Sequence, residues 1–473
     1  MTDNRSKFVK YIESHQQDLI NILAEAIAIP SVSGDASYRP EVLRMGKWLH
    51  EKLGALGAQT ELFELGRQNL DGHDIELPPV IVAKYGNDPA KKTILVYGHY
   101  DVQPALKSDG WDTEPFSLHV SEATGKLVGR GATDDKGPVL GWLNVIEAHR
   151  ALGLDLPVNL QLCLEGMEES GSVGLDEFVE RNAKTLFKDV DAVCISDNYW
   201  LGTTKPCITH GLRGVAYFKL TVHGPAADLH SGVFGGMIHE PMTDLVHVMA
   251  SLVTPDAKIA IPGIYDQVAP LTPEERKRFE VMEFSISDVD NSTGSKSTVS
   301  EDKVEVLMSR MRYPSLSLHG IEGAFAEPGS KTVIPAKVTG KFSIRLVPDM
   351  EPETCVDCVR KHVESEFAKL HSKNTIKLEP DHPGKPWTVD PNHWNYEAAT
   401  RATELIYGVK PDLTREGGSI PITLTFADAL GKNVLLLPMG RADDGAHSTN
   451  EKLDLSNYVK GTELLGTYLY EVA

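Results

Sequence analysis

The chain has 473 residues, 41% of them hydrophobic and 24% charged, and 67 acids against 47 bases give a net charge of −20. That sign argues against a nucleic-acid-binding role, which needs a basic surface, and no apolar run approaches the roughly 20 residues of a membrane span. The length is too great for one ordinary core, so two domains are expected.

The first segment, "MTDNRSKFVKYIESHQQ", lacks the apolar core of a signal peptide. Five cysteines (Cys163, Cys194, Cys207, Cys355 and Cys358) are few and odd in number, which suits reduced thiols in a cytoplasmic protein. Cys355 and Cys358 form a CxxC inside a helix-like stretch, without the two further ligands a zinc site needs. "FVKYIESHQQDLINILAEAIAI" and "PEVLRMGKWLHEKLGALG" carry apolar residues at helical spacing, the second with Pro40 near its start and glycines at its end.

Between residues 93 and 197 short apolar runs alternate with helical ones. "TILVYG", "NLQLCLEG" and "AVCIS" read as buried strands, and "GPVLGWLNVIEAHRALG" and "LDEFVERNA" as helices. This alternation predicts an α/β domain with a largely parallel sheet. From about residue 209 the pattern changes to "GVAYFKLTVHG", a helical "EPMTDLVHVMASLV", "VTGKFSIRLVP", a helix after Pro352, and "NTIKLEP". Two strand–helix–strand units of this kind predict a small α+β domain with an antiparallel sheet of the ferredoxin-like type. Inside it, the polar "SISDVDNSTGSKSTVSEDK" reads as a loop or mobile segment. The strand "NVLLLPMG" returns to the first pattern, so residues 1–208 and 383–473 are expected to form one domain and 209–382 an insertion.

The stretch "EGMEESGS" places Glu168 and Glu169 side by side after an apolar run, where like charges repel and need a positive partner. Other strand-like runs also lead into ionisable residues: His99 and Asp101 after "TILVYG", Asp197 after "AVCIS", and His447 after "NVLLLPMG" and its loop. Asp134 and Asp135 precede the helix at "PVLGWL". Open α/β sheets bind ligands beyond the carboxyl ends of their strands, so parallel neighbours would bring these groups to one edge. Two histidines and three or four carboxylates can hold two divalent cations, and the cations remove the penalty on clustered acids. Nitrogen and oxygen ligands without thiolate suit Zn2+ or Mn2+. Asp134 is the candidate bridge, with His99 and Asp197 completing one metal site and Glu169 and His447 the other. A water or hydroxide can sit between the two metals. Glu168 is left over as the base for that water, and Asp101 can accept the second N–H of His99.

The order "GHYDVQPA", "GRGATDDKG", "EGMEESGS", "SDNYW" and "DDGAHS" resembles the dinuclear metallopeptidase family of carnosinases, cysteinylglycine dipeptidases, aminoacylases and glutamate carboxypeptidases, most closely its dipeptidase branch. The likeness extends to "ITHGLRG", "DLHSGVFGG", "KTVIPAKVTGKFSIRLVP" and "PDLTREGGSIP". It implies a phosphorylase/hydrolase-like catalytic domain with an inserted lid and dimerisation domain, and a cis peptide at Asp134–Asp135. It implies the same metal ligands, with Glu168 as general base and Asp101 in support. It further implies that His230 reaches the partner subunit's site as an oxyanion donor and that Arg345 clamps the substrate carboxylate. His382, Ser419, Thr332 and Glu416 would be further substrate contacts, with Asp197 and His447 touching substrate as well as metal. The implied activity is hydrolysis of dipeptides with both ends free, such as Cys-Gly or carnosine, with a place in glutathione degradation. The alternatives are an N-acyl amino acid deacylase of the same family and a non-catalytic metal-binding scaffold.

Overall fold

A computed structural model describes residues 2–70, 72–418 and 420–473. The chain divides into two compact units, one of residues 1–210, 389–414 and 422–473, the other of 211–388 and 415–421. Residues 383–388 and 415–421, which the sequence pattern groups with the first domain, fall in the second unit. The strand Thr375–Gly384 carries that sheet past residue 382, and Arg213 binds the backbone of 416–418.

In the first unit the strand Thr93–His99 pairs in parallel with Asn159–Glu165 on one side and Ala192–Ile195 on the other, and the latter pairs in parallel with Val434–Leu436. Antiparallel strands flank this parallel centre. Val80–Tyr85 joins Asn159–Glu165, Gln59–Phe63 joins Val80–Tyr85, and Cys207–Leu212 joins Val434–Leu436. Every residue of Asn159–Glu165 is buried, as expected of a strand covered on both faces. Helix Lys136–Ala151 packs on the C-terminal helix Leu455–Val472, which also contacts Thr2–Ser14 and Trp394–Tyr407. One apolar core, including Val96, Trp142, Leu162, Leu435 and Tyr468, joins the sheet to these helices. The N-terminal helical run is two helices, Thr2–Ser14 and Gln16–Ile27, divided at His15.

In the second unit four antiparallel strands run in the order Ser315–Glu322, Lys337–Leu346, Gly214–His223, Thr375–Gly384. Helices Pro241–Ala250 and Pro352–Lys369 cover the sheet and close a separate core around Phe218, Leu245, Phe342 and Val359. The CxxC cysteines lie on the second of these helices and are free. The polar segment expected to be a loop contains a helix, Ile286–Thr293. Its start is closed reciprocally. The Ser285 side chain accepts a backbone N–H, and the Ser285 N–H donates to Asp288 at 2.9 Å. Composition concealed this capping box among the other polar residues.

Candidate metal centre

The parallel register aligns the strand ends: His99 sits opposite Glu165, and Tyr97 opposite Ile195. His99 therefore ends its strand where the neighbouring strands release the turn of Glu168 and Glu169 and the loop of Asp197. Asp134 reaches the same edge through the turn before helix Lys136–Ala151. The preceding Gly98 allows this approach, because a Cβ there would lie 2.7 Å from the Asp135 carboxylate and 2.6 Å from Val139. Asp135 uses that closeness to accept the His99 backbone N–H at 3.2 Å. The Asp134–Asp135 peptide is cis.

His99, Asp134 and Asp197 offer ligand atoms all within 4.8 Å of one another, and so do Asp134, Glu169 and His447. His99 Nε2 lies 3.1 Å from Asp134 Oδ1 and 3.7 Å from Asp197 Oδ1. His447 Nε2 lies 3.3 Å from Asp134 Oδ2 and 3.0 Å from Glu169 Oε2. Asp134 thus turns one oxygen to each group. Ligands of a tetrahedral zinc, each at about 2.0–2.2 Å, stand roughly 3.4 Å apart, so these separations and this nitrogen–oxygen donor set fit divalent cations. A third acidic group, Asp443, Asp444 and Asp454, differs in kind. It already encloses the Lys452 ammonium at 2.9, 2.6 and 2.5 Å.

Supporting contacts fix these side chains. His99 Nδ1 is 3.1 Å from the Asp101 backbone oxygen and 3.3 Å from its carboxylate. That carboxylate also accepts the backbone N–H groups of Glu168 at 3.2 Å and Glu169 at 3.1 Å. One residue therefore supports both the histidine and the glutamate pair, a connection that HxD spacing does not reveal. Gln103 donates to Glu169 at 2.7 Å. Glu451 accepts from the loop that carries Asp134.

The acids raise the imidazoles' proton affinity. Hydrogen bonds to Asp134 and Glu169 bring His447 up to about 10. Burial lowers His99, but the charge of Asp197 and hydrogen bonds to Asp101, Asp134 and Asp197 outweigh it and hold the ring well above its usual value. Burial, then the charges of Asp134 and Glu169, lift Asp197 to about 6 against the opposing pull of His99. Burial and the charges of Asp197, Asp134 and Glu169 carry Glu168 well above the ordinary carboxylate range, with His99 opposing. A cation binding here must displace these protons, so its affinity falls as pH falls. Linkage predicts about a tenfold weakening per pH unit for each proton displaced. Chelator competition between pH 6 and pH 8 measures that slope, and an apparent affinity independent of pH would contradict it.

The other expected residues lie in the second unit. His230 and Val333 pair across the short ladder Leu229–His230/Val333–Ile334, and Ser231 N–H donates to Thr332 O at 3.2 Å, so His230 and Thr332 are neighbours. The Gly232 N–H donates to His230 Nδ1 at 3.0 Å, which places the neutral ring's proton on Nε2. Arg345 lies on the strand Lys337–Leu346, and Arg310 donates to Glu416 at 2.8 Å. Burial raises Glu416, but Arg310 and the Gly417 and Gly418 N–H groups hold it below its usual value. Arg213, which the sequence pattern does not single out, donates to Gly417 O and to the Ser315 hydroxyl, both at 3.0 Å. Burial lowers its pKa to about 10, followed by the charges of Arg345 and Arg310. The Arg213, Arg345 and Arg310 guanidiniums and the Glu416 carboxylate thus share one neighbourhood. Ser419 lies outside the described residues, as does the His382 side chain, although the His382 backbone belongs to the strand Thr375–Gly384.

Residues 95–471 match the model of peptidase family M20/M25/M40. The chain is 57% identical to a Cys-Gly metallodipeptidase of Candida albicans, over 97% of this chain and 95% of the relative. It is 46% identical to the human Beta-Ala-His dipeptidase, over 99% of this chain and 92% of the relative. Among solved structures, the di-peptidase Dug1p from Saccharomyces cerevisiae superposes with a TM-score of 0.92 at 52% identity, over 100% of this chain and 99% of that one. Human carnosine dipeptidase 1 gives 0.91 at 45% identity, over 99% and 98%. A centre with the donor set of a dinuclear hydrolase, on a fold shared almost end to end with these enzymes, makes the chain a member of the M20/M25/M40 peptidase family.

Proposed function

We propose that the chain is a metal-dependent dipeptidase, of the cytosolic non-specific type, that hydrolyses dipeptides with free amino and carboxyl ends, Cys-Gly and β-Ala-His among them. The observation that carries this reading is the shared Asp134 carboxylate, one oxygen toward His99 and Asp197 and the other toward Glu169 and His447. Two divalent cations, Zn2+ or Mn2+, would be held by these two ligand sets and supply Lewis acidity to the scissile carbonyl and the attacking water.

Glu168 takes the proton of the attacking water and delivers it to the leaving amine nitrogen. Asp101 holds the Glu168 turn through two backbone bonds, so base and ligands keep one geometry. In the second unit, His230 carries its proton on Nε2 and serves as an oxyanion donor, offered to the partner subunit of a homodimer. Arg345 is assigned to the substrate carboxylate, in the positive field it shares with Arg213 and Arg310. Thr332, Glu416, His382 and Ser419 complete the substrate contacts, together with Asp197 and His447, and the free amine faces the acidic side of the metal site.

The relatives' names favour a dipeptidase over an N-acyl amino acid deacylase or a non-catalytic scaffold. Initial rates on Cys-Gly, β-Ala-His and their N-acetylated forms, with Zn2+ and Mn2+ loaded separately, test the choice. Free dipeptides are expected to react at least tenfold faster than acetylated ones. A preference for the blocked amine would make the chain a deacylase, and metal binding without turnover would make it a scaffold.

A further inference from the structure

Glu451 is fully buried, four residues beyond His447 and remote in sequence from Asp134. Its carboxylate accepts four hydrogen bonds from one short segment. Oε2 takes the Arg130 guanidinium at 2.7 Å and the Gly131 N–H at 3.0 Å. Oε1 takes the Thr133 N–H at 3.0 Å and the Asp134 N–H at 3.2 Å. Both oxygens are therefore committed, and one of their donors is the backbone of the residue shared by the two cation cradles.

The same loop is tied a second time. The Thr133 hydroxyl donates to Asp444 at 2.9 Å, and Asp444 binds the Lys452 ammonium at 2.6 Å. Between these ties lies His447, whose backbone sits in the left-handed region at φ 60°. Non-glycine residues are uncommon there, and the surroundings hold this one in place. Glu451 and Asp444 bracket it on either side.

We propose that Glu451 is a positioning residue that locks the Asp134 segment to the His447 loop, and so sets the two cation cradles in register. This rests on the ligand assignment above. The argument turns on acceptor count. A carboxylate offers lone pairs from both oxygens to four donors, whereas a Gln amide offers one oxygen and turns an NH2 toward the other two donors. Glu451→Gln therefore sets donor against donor beneath the bridge. Glu451→Asp keeps both acceptors but falls one methylene short. Glu451 touches neither substrate nor reacting atoms, so its substitution acts through Asp134 and His447.

The experiment uses full-length protein and Mn2+ as the probe. Stepwise Mn2+ affinity is measured by competition, and EPR of the loaded protein reads the exchange coupling of two ions that share a carboxylate. The parent is expected to show a coupled pair. Glu451→Gln is expected to bind the second ion 10- to 100-fold more weakly, the range for losing a residue that orients a ligand, and to lose the coupled signal for that of isolated ions. Glu451→Asp is expected to recover part of both. Circular dichroism of the metal-free proteins reports folding, and if Glu451→Gln does not fold, Glu451→Asp decides alone, with at least threefold weakening expected. Second-ion affinity within twofold of the parent, with the coupled signal intact, overturns the proposal. A parent that binds two ions without coupling would instead refute the shared Asp134 carboxylate, and the affinity ratio would still judge Glu451.

Discussion

Glu168→Gln is expected to lower kcat on Cys-Gly by about 10^2- to 10^4-fold, the usual contribution of a general base, while leaving both cations bound. The amide keeps the length and packing of the glutamate but cannot take a proton from water. Its backbone N–H still donates to Asp101, so the turn that presents Glu169 stays in place. Neither cradle includes Glu168, so metal content should be unchanged. Steady-state kinetics beside elemental analysis separates the two effects. Near-parental turnover would remove Glu168 from the mechanism, and loss of a cation would make it a ligand. The same variant tests the proposed homodimer. Mixed with inactive His230→Ala protomers, it should regain activity through the one site per heterodimer that holds both groups. Heterodimers without recovered activity would confine His230 to its own subunit.

Lys452→Met is expected to destabilise the folded protein by about 3–5 kcal/mol, the range for removing one partner of a buried ion pair. The Lys452 side chain is 5% exposed and lies within 2.9 Å of carboxylate oxygens from Asp443, Asp444 and Asp454. Burial alone would lower its pKa, but those three carboxylates raise it, so the ammonium is the form the fold selects. Methionine fills similar space without charge and leaves the acids facing one another. Burial already raises the Asp444 pKa against the pull of Lys452, and the variant removes that pull. Its stability contribution is then fully present below about pH 4, the unfolded carboxylate value, and is lost as pH rises through the folded value. The deficit should therefore shrink toward pH 4 and be full at pH 7. Urea denaturation midpoints at the two pH values measure it, and a loss under about 1 kcal/mol at pH 7 would mean that the cluster tolerates its own repulsion.

The chain announces its parallel core because strands buried on both faces are continuously apolar, as in "TILVYG" and "NLQLCLEG". It also announces its candidate ligands, because a strand that runs straight into an acid or imidazole marks a carboxyl edge. His99, Glu169 and Asp197 were legible in this way, His447 through the loop after its strand and Asp134 from its place before a helix, and the structure gathers all five into two overlapping groups. The helix Ile286–Thr293 was not legible, because reciprocal Ser and Asp caps look like loop composition when written in a line. Nor was the role of Arg213, whose neighbours Ser315 and Gly417 are about 100 and 200 residues away.

What the sequence determined by itself was periodicity and residue type: which runs are strands and helices, and which side chains can ligate or transfer protons. Those properties are local, set by side-chain spacing and chemistry along a few turns or pleats. Only the tertiary structure decided who holds whom. Asp101 beneath Glu168 and Glu169, Glu451 beneath Asp134, and Lys452 among three aspartates all depend on a backbone N–H or ammonium arriving from elsewhere in the fold. A hydrogen bond depends on distance and direction within about 3 Å, and no pattern along the chain encodes that.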